Sequence, residues 1–221
     1  MDKTLKDFKG IVQSDGYSAY GAFKKRHPHA EIEYAACWAH ARRKFHEAQN
    51  ESPFAARMLQ EIQELYKIEA ELRNDPKKDR RAVRQEKSLP ILHRIGLQLQ
   101  ADQIKHRPKS GTGKAINYTL GLWNKLLVYT EYSEMEIDNN LVENAIRPTA
   151  IGKKNWLFFG SADAGKTSAI FYTMTETCRK IGLNPDEYLR DIAHQLPLMT
   201  NQTAKHFTPA AWKATRDALQ G

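Results

Sequence analysis

The chain has 221 residues, 41% hydrophobic and 27% charged, the balance of a soluble globular protein with one large domain or two small ones. No run approaches the roughly 18 apolar residues of a membrane span, the opening MDKTLKDFKG lacks the apolar core of a secretory leader, and two cysteines make no disulfide framework, so a reducing cytoplasm and no membrane partner are expected. The net charge of +8 directs attention to polyanions, nucleic acid first, although charge speaks to association rather than fold.

In chain order, the apolar pair Ile11-Val12 stops at Ser14-Asp15-Gly16, which predicts a brief buried strand delivering Asp15 into a turn. YSAYGAFKKR follows as a short helix, and IEYAAC is a second strand running into the helix WAHARRKFHEAQN. From Ser52 the character changes. Phe54, Met58, Leu59, Ile62, Leu65, Tyr66, Ile68 and Leu72 recur at the period of an amphipathic helix, behind a Ser52 cap and a first-turn Pro53. The charged RNDPKKDRR ends it. AVRQEKSLPILHRIGLQLQADQIKH, interrupted at Pro90, and GKAINYTLGLWNKLLVYTEY are further helices around the loop RPKSGTG, so residues 50–132 read as an all-helical block. Beyond it NWLFF reads as a strand and TSAIFYTMTETCRKIG as a helix, while the polar tail after Pro197 reads as an appendage. The pattern is α/β pieces interrupted by a helical insert.

Between that strand and helix lies Gly160-Ser-Ala-Asp-Ala-Gly-Lys-Thr167, which satisfies the phosphate-cradling spacing G-x-x-x-x-G-K-[ST] in a strand-then-helix setting. A P-loop nucleotide-binding protein is therefore one alternative. Against it, the residues after Lys166 read as helices, with no later strand ending in a metal-binding aspartate. The other reading makes the stretch a turn with Ser161 or Thr167 as helix cap and Lys166 as a DNA contact.

DNNLVENAIRP, Asp138 to Pro148, places Asn140, Glu143, Asn144 and Arg147 in one polar stripe of a helix. A capping box from Asn140 to Glu143 explains part of this stripe. A strand-end Asp15 and a helix-borne Glu143 can also converge on a hard divalent cation, which prefers carboxylate oxygen. Two such ions serve phosphodiester chemistry. Arg42-Arg43-Lys44, interleaved with Trp38 and Phe45, and Lys153-Lys154 are candidates for DNA phosphate contact. Cys37-Trp-Ala-His40 holds half the ligands of a zinc site, and a structural role is the favoured expectation. Trp123 and Trp156 sit in apolar settings and are assigned to the core.

Four motifs in this order, QSDGYSAY, CWAHARRKF, DNNLVENAIRPTAIGKKNWLFFGS and GLNPDEYLRDI, resemble the catalytic region of the insertion-sequence-66 type of bacterial DDE transposases over most of residues 8–197. The resemblance implies an α/β, partial ribonuclease H-like fold, late strands and helices only, interrupted by a large all-helical insertion. Its parts are residues 1–49 with the second aspartate, the insertion 50–132, residues 133–197 with the glutamate helix, and a tail 198–221. It implies Mg²⁺ (or Mn²⁺) held by Asp15 and Glu143, and strand cleavage and transfer at transposon-end DNA. Arg147, Lys153 and Lys154 fall in a basic run after the glutamate, and Cys37 and His40 match a Cys-x-x-His element. The family's first aspartate lies on an earlier strand, and neither Asp2 nor Asp7 is a credible stand-in. The expectation is thus a fragment inactive alone, able to self-associate or join a full-length transposase. A non-catalytic DNA-binding remnant is the third alternative.

Overall fold

The two expected strands form: β1 (Gly10–Ser14) and β2 (Ile32–Ala36) pair in parallel, Gly10 opposite Ile32 and Ser14 opposite Ala36. The computed structural model describes residues 5–220, so Asp2 lies outside the described residues, and it divides into two compact units, one ending at Leu141 and one starting at Val142. Parallel strands need a crossover, and residues 15–31 supply it with helix α1 (Ser18–Arg26). Alternation sorts the side chains. Val12, Ile32 and Tyr34 pack with Phe23 of α1, while Ile11 and Ala35 face the helices on the other side.

Helix α2 (Trp38–Glu47) leaves β2 at once and buries Trp38, Ala41 and Phe45 on one face. Helix α3 (Pro53–Asn74) starts where the sequence predicts: Ser52 Oγ accepts the Ala55 N–H at 3.2 Å and Pro53 is the first residue. Its Phe54, Met58, Ile62 and Leu65 meet the buried row of α2 in the main core, so the helical block and the sheet share one interior.

Pro90 does not interrupt the next helix. The chain runs helically through α4 (Arg80–Val83), a π segment (Arg84–Ser88) and α5 (Leu89–Gln103), the Leu89 N–H bonding to the Arg84 carbonyl. The wider turn absorbs the N–H that proline lacks and eases its ring past the carbonyl of the preceding turn. Helices α6 (Gly111–Gly121) and α7 (Trp123–Leu127) follow, with a 3₁₀ turn at Val128–Thr130. Trp38 donates from Nε1 to the Leu126 carbonyl at 2.9 Å and meets Trp123 edge-on, while a Cβ on Gly96 would lie 2.9 Å from the Trp123 ring.

The π segment delivers Arg84, wholly buried, to Glu69, also wholly buried. All guanidinium nitrogens are used: Nε and one terminal nitrogen grip Glu69 at 2.8 and 2.6 Å, and the terminal nitrogens also reach the carbonyls of Tyr129, Tyr132 and Met135, each at 2.8 Å. The chain between the helical block and Asp138 is thereby tied to α3 and the π segment.

The second unit contains most of α8 (Asn140–Trp156), with α9 (Ala162–Lys180), α10 (Pro185–Gln195) and α11 (Pro209–Gln220). Two sequence expectations are corrected here. NWLFF is not a strand: Asn155 and Trp156 complete α8, Leu157 turns left-handed at φ 63°, and Phe158 and Phe159 are exposed, so no strand follows β2 among the described residues. A short apolar run has no periodicity of its own, and the helix simply propagates into it. Nor is the segment after Pro197 an appendage. Trp212 packs edge-on against Tyr188 beside Cys178 and Ile192, and the Tyr188 hydroxyl donates to the Phe207 carbonyl at 2.7 Å. Trp156, assigned to the core from sequence, is exposed, whereas Trp123 is partly buried.

Candidate active site at the carboxyl end of the sheet

Asp15 is the first residue beyond β1, exposed, with its Oδ1 accepting the Tyr17 N–H at 2.9 Å in an Asx turn. Gly16 supplies the left-handed backbone at φ 86° that the reversal requires. The Tyr118 hydroxyl of α6 donates to the Asp15 carbonyl at 2.7 Å, fixing the turn from the helical block. Cys37 emerges from β2 at the same edge, donating its N–H to the Ser14 carbonyl at 3.1 Å.

Residues 136–138 run along this edge. Gln13 Nε2 donates to the Glu136 carbonyl at 3.0 Å, and the Trp38 N–H to the Ile137 carbonyl at 3.2 Å. The Asp138 carboxylate then accepts the Tyr66 hydroxyl at 2.9 Å, the Asn140 backbone N–H at 3.1 Å and the Asn140 side-chain amide at 2.9 Å. Asp138 therefore holds the start of α8, and Asn140, cast by the capping-box reading as the cap, is instead the first helical residue and a donor to it. Burial, with the Asp138 charge and hydrogen bond adding to it, pushes the Tyr66 hydroxyl far above its ordinary range.

Sequence reasoning passed over Asp138, Tyr66 and Tyr118. Asp138 was visible as the first letter of DNNLVEN. Tyr66 was counted only as an apolar member of the α3 stripe, and its hydroxyl is what matters.

Cys37 is buried, and burial pushes its thiol above the ordinary range; nearby backbone N–H groups of Asn139, His40 and Ala39 oppose this and the Asp138 carboxylate reinforces it. Metal ligation needs the thiolate, and no cluster of three or more His, Cys, Asp or Glu side chains occurs among the described residues. His40, one turn into α2, is half-buried.

The basic run of α2 is split by helical geometry. Arg42 and Arg43 are exposed and line a cleft against α3, whereas Lys44 is half-buried and lies 3.6 Å from Glu47. Glu143, Arg147, Lys153 and Lys154 belong to the second unit, on α8, with Glu143 half-buried and the three cations exposed. Asp15 and Glu143 thus occupy different units.

The P-loop spelling does not take the shape it needs. Gly160 is in the loop, but Ser161 caps α9, and Ala162 through Thr167 are already helical. The N–H groups of Ala164 and Gly165, which would cradle a phosphate, go to Ser161 Oγ at 3.1 Å and its carbonyl at 3.2 Å. Lys166 Nζ pairs with Asp163 at 2.9 Å. No helix among the described residues is long and apolar enough to cross a membrane.

The chain is similar to three curated proteins of Sinorhizobium fredii (strain NBRC 101917 / NGR234). Uncharacterized protein y4qI is 38% identical over 84% of this chain and 35% of its own length. Uncharacterized protein y4jD is 30% identical over 96% of this chain and 43% of its own length, and uncharacterized protein y4hP is 29% identical over 96% and 41%. The chain therefore spans less than half the length of each. No solved structure matches it. The model of the transposase IS66 family matches residues 1–167, which include Asp15, the helical block and Glu143. The chain belongs to the IS66 family of transposases.

Proposed function

We propose that this chain supplies two carboxylates, Asp15 and Glu143, to a divalent-metal site for DNA strand cleavage and strand transfer at transposon ends, within a ribonuclease H-like fold to which β1, α1 and β2 belong. The observation that carries the reading is the placement of Asp15. It stands exposed at the carboxyl end of a parallel sheet, held by Gly16, the Tyr17 N–H and Tyr118, with one carboxylate oxygen committed to the turn and the other in no hydrogen bond among the described residues.

The donor chemistry fits Mg²⁺ or Mn²⁺, since carboxylate oxygens are the ligands hard cations take. Asp15 and Glu143 would hold the ion, which when bound supplies Lewis-acid stabilisation of phosphodiester charge. The protein's own part is positioning: Tyr118 and Gly16 set the Asp15 turn, and Tyr66 through Asp138 sets the first turn of the glutamate helix. On this reading DNA and further copies of the transposase are the chain's partners.

Two measurements test this reading. Calorimetric Mn²⁺ titration should show binding that falls on both Asp15→Asn and Glu143→Gln; if neither change alters it, the carboxylate assignment fails. Any nicking of a supercoiled plasmid in Mg²⁺ should be abolished by Glu143→Gln, and nicking that survives this change would overturn the role of Glu143.

A further inference from the structure

The cleft between α2 and α3 has a volume of about 380 Å³ and a one-sided chemistry. Ala39, Arg42, Arg43 and His46 are one stripe of α2, about 120° round the helix from the buried Trp38, Ala41 and Phe45, so the residues that fix the helix in the core also fix which way this stripe faces. Gln63 and Tyr66 of α3 and Asn140 complete the lining, and no acidic side chain is among the described lining residues. The lining therefore offers two guanidiniums, an imidazole and two amides as donors.

These cations have not been neutralised by the protein. In the same unit Arg73, Arg80, Arg81, Arg84 and Arg94 each hold a glutamate. The side chains of Arg42, Arg43 and His46 take no hydrogen bond or ion pair among the described residues. The Asp138 carboxylate, bonded to two of the lining residues, already accepts Tyr66 and Asn140. Two adjacent guanidiniums without acids match phosphate oxygens, which their planar forks bind in pairs.

The cleft also borders the candidate active site. Arg42 acts on Tyr66, the donor to Asp138, and Arg43 on Tyr118, the donor to the Asp15 carbonyl, each drawing the hydroxyl's proton affinity down against burial. Along α2, Arg42 stands about 7.5 Å from Cys37 at the sheet edge, roughly two nucleotide rises of a strand.

We propose that the α2–α3 cleft seats the sugar-phosphate backbone of DNA, with Arg42, Arg43 and His46 as phosphate donors and Gln63, Tyr66 and Asn140 as its wall. The proposal takes the polyanion from the transposase reading and adds the seat. Lys44, sequence neighbour of both arginines, is outside it because it faces Glu47.

The test is fluorescence anisotropy of a short labelled DNA duplex with the whole chain, without divalent metal, over a range of salt concentrations. Replacing both Arg42 and Arg43 by glutamine should weaken binding about tenfold or more near 0.1 M salt and flatten the logarithmic salt dependence by about two. Lys44→Gln should leave most of the affinity. Wild-type affinity in the double variant, an equal loss in Lys44→Gln, no duplex binding by the parent chain, or a clear preference for duplex RNA each overturns the proposal. Arg42 and Arg43 are exposed and Lys44 is half-buried, and unchanged thermal unfolding of the variants confirms that the fold is intact. The duplex assay contains no divalent metal, so its outcome does not depend on the metal site, and failure of the metal site and failure of the cleft are read separately.

Discussion

The two units of this chain are held together in different ways. In the first, helices from the block, the sheet and α2 bury one continuous core, and a charged pair without solvent contact ties the loop that leads to Asp138. In the second, the buried centre among the described residues is Cys178, Tyr188, Ile192 and Trp212, while Ile146 and Ile151 of α8 and Ile170 and Phe171 of α9 are each more than half exposed. The helices there rest on end signals: Ser161 caps α9, Gly182 at φ 68° ends it, and Asn184 with Pro185 starts α10. Tertiary packing specifies one region and local backbone chemistry much of the other.

The sharpest test of that contrast is Arg84→Ala. Leaving Glu69 buried without its partner should destabilise the first unit by about 3–5 kcal/mol, seen as a lower denaturation midpoint. Arg94→Ala, which loses only an exposed partner of Glu61, should cost about 1 kcal/mol or less. Trp212→Ala removes the largest side chain of the small core and should cost about 3–5 kcal/mol, with hydrogen-exchange protection falling in α9, α10 and α11 and persisting in α3 and α5. Equal loss in both units would show that they are one cooperative body.

Smaller effects compare like with like. Ser52→Ala and Ser161→Ala delete the same kind of cap, each worth about 1 kcal/mol, and local exchange at the first turns of α3 and α9 should report it. The smaller core should let the Ser161 change fray its helix further. Smallest is an alkaline effect at the Asp15 turn. Burial, with the Asp15 carboxylate adding, pushes the Tyr118 hydroxyl up to about 12. The folded state thus holds this proton more tightly than the unfolded chain, where tyrosine titrates near 10. The contribution is full below about pH 10 and is lost as pH rises through about 12. Tyr118→Phe should remove that part of the decline in stability between these values, as followed by denaturant unfolding.

What the sequence disclosed follows from the same division. Strand ends, the Ser52 cap and the α3 stripe were legible because turn residues, capping and helical periodicity are local rules. Ser14-Asp15-Gly16 announced its turn for the same reason. The role of Tyr66 was not legible, because a tyrosine in an apolar stripe looks like core until Asp138, far along the chain, meets its hydroxyl. NWLFF misled because a short apolar run fits strand and helix alike, and the outcome was decided by the helix already under way from Asn140. The P-loop spelling, an alternative the rest of the sequence argued against, fails because Ser161 caps a helix too early for the loop to form. Arg42, Arg43 and Lys44 looked equivalent in the sequence, and only the helix phase separates the first two from the third.

The π segment has a bearing on chain length. Residues eight apart on a regular α-helix differ by about 80° in direction, whereas residues seven apart differ by about 20°. Between Arg84 and Leu92, both buried, the chain thus carries one residue more than a uniform helix would thread, and the wide turn takes up the surplus. Loss of the exposed Glu86 would let that stretch tighten with both ends still facing inward. A deletion between Leu92 and Leu99 would swing the helix on one side of the gap by about 100° relative to the other, so tolerance to shortening should be confined to this one bend of the helical block.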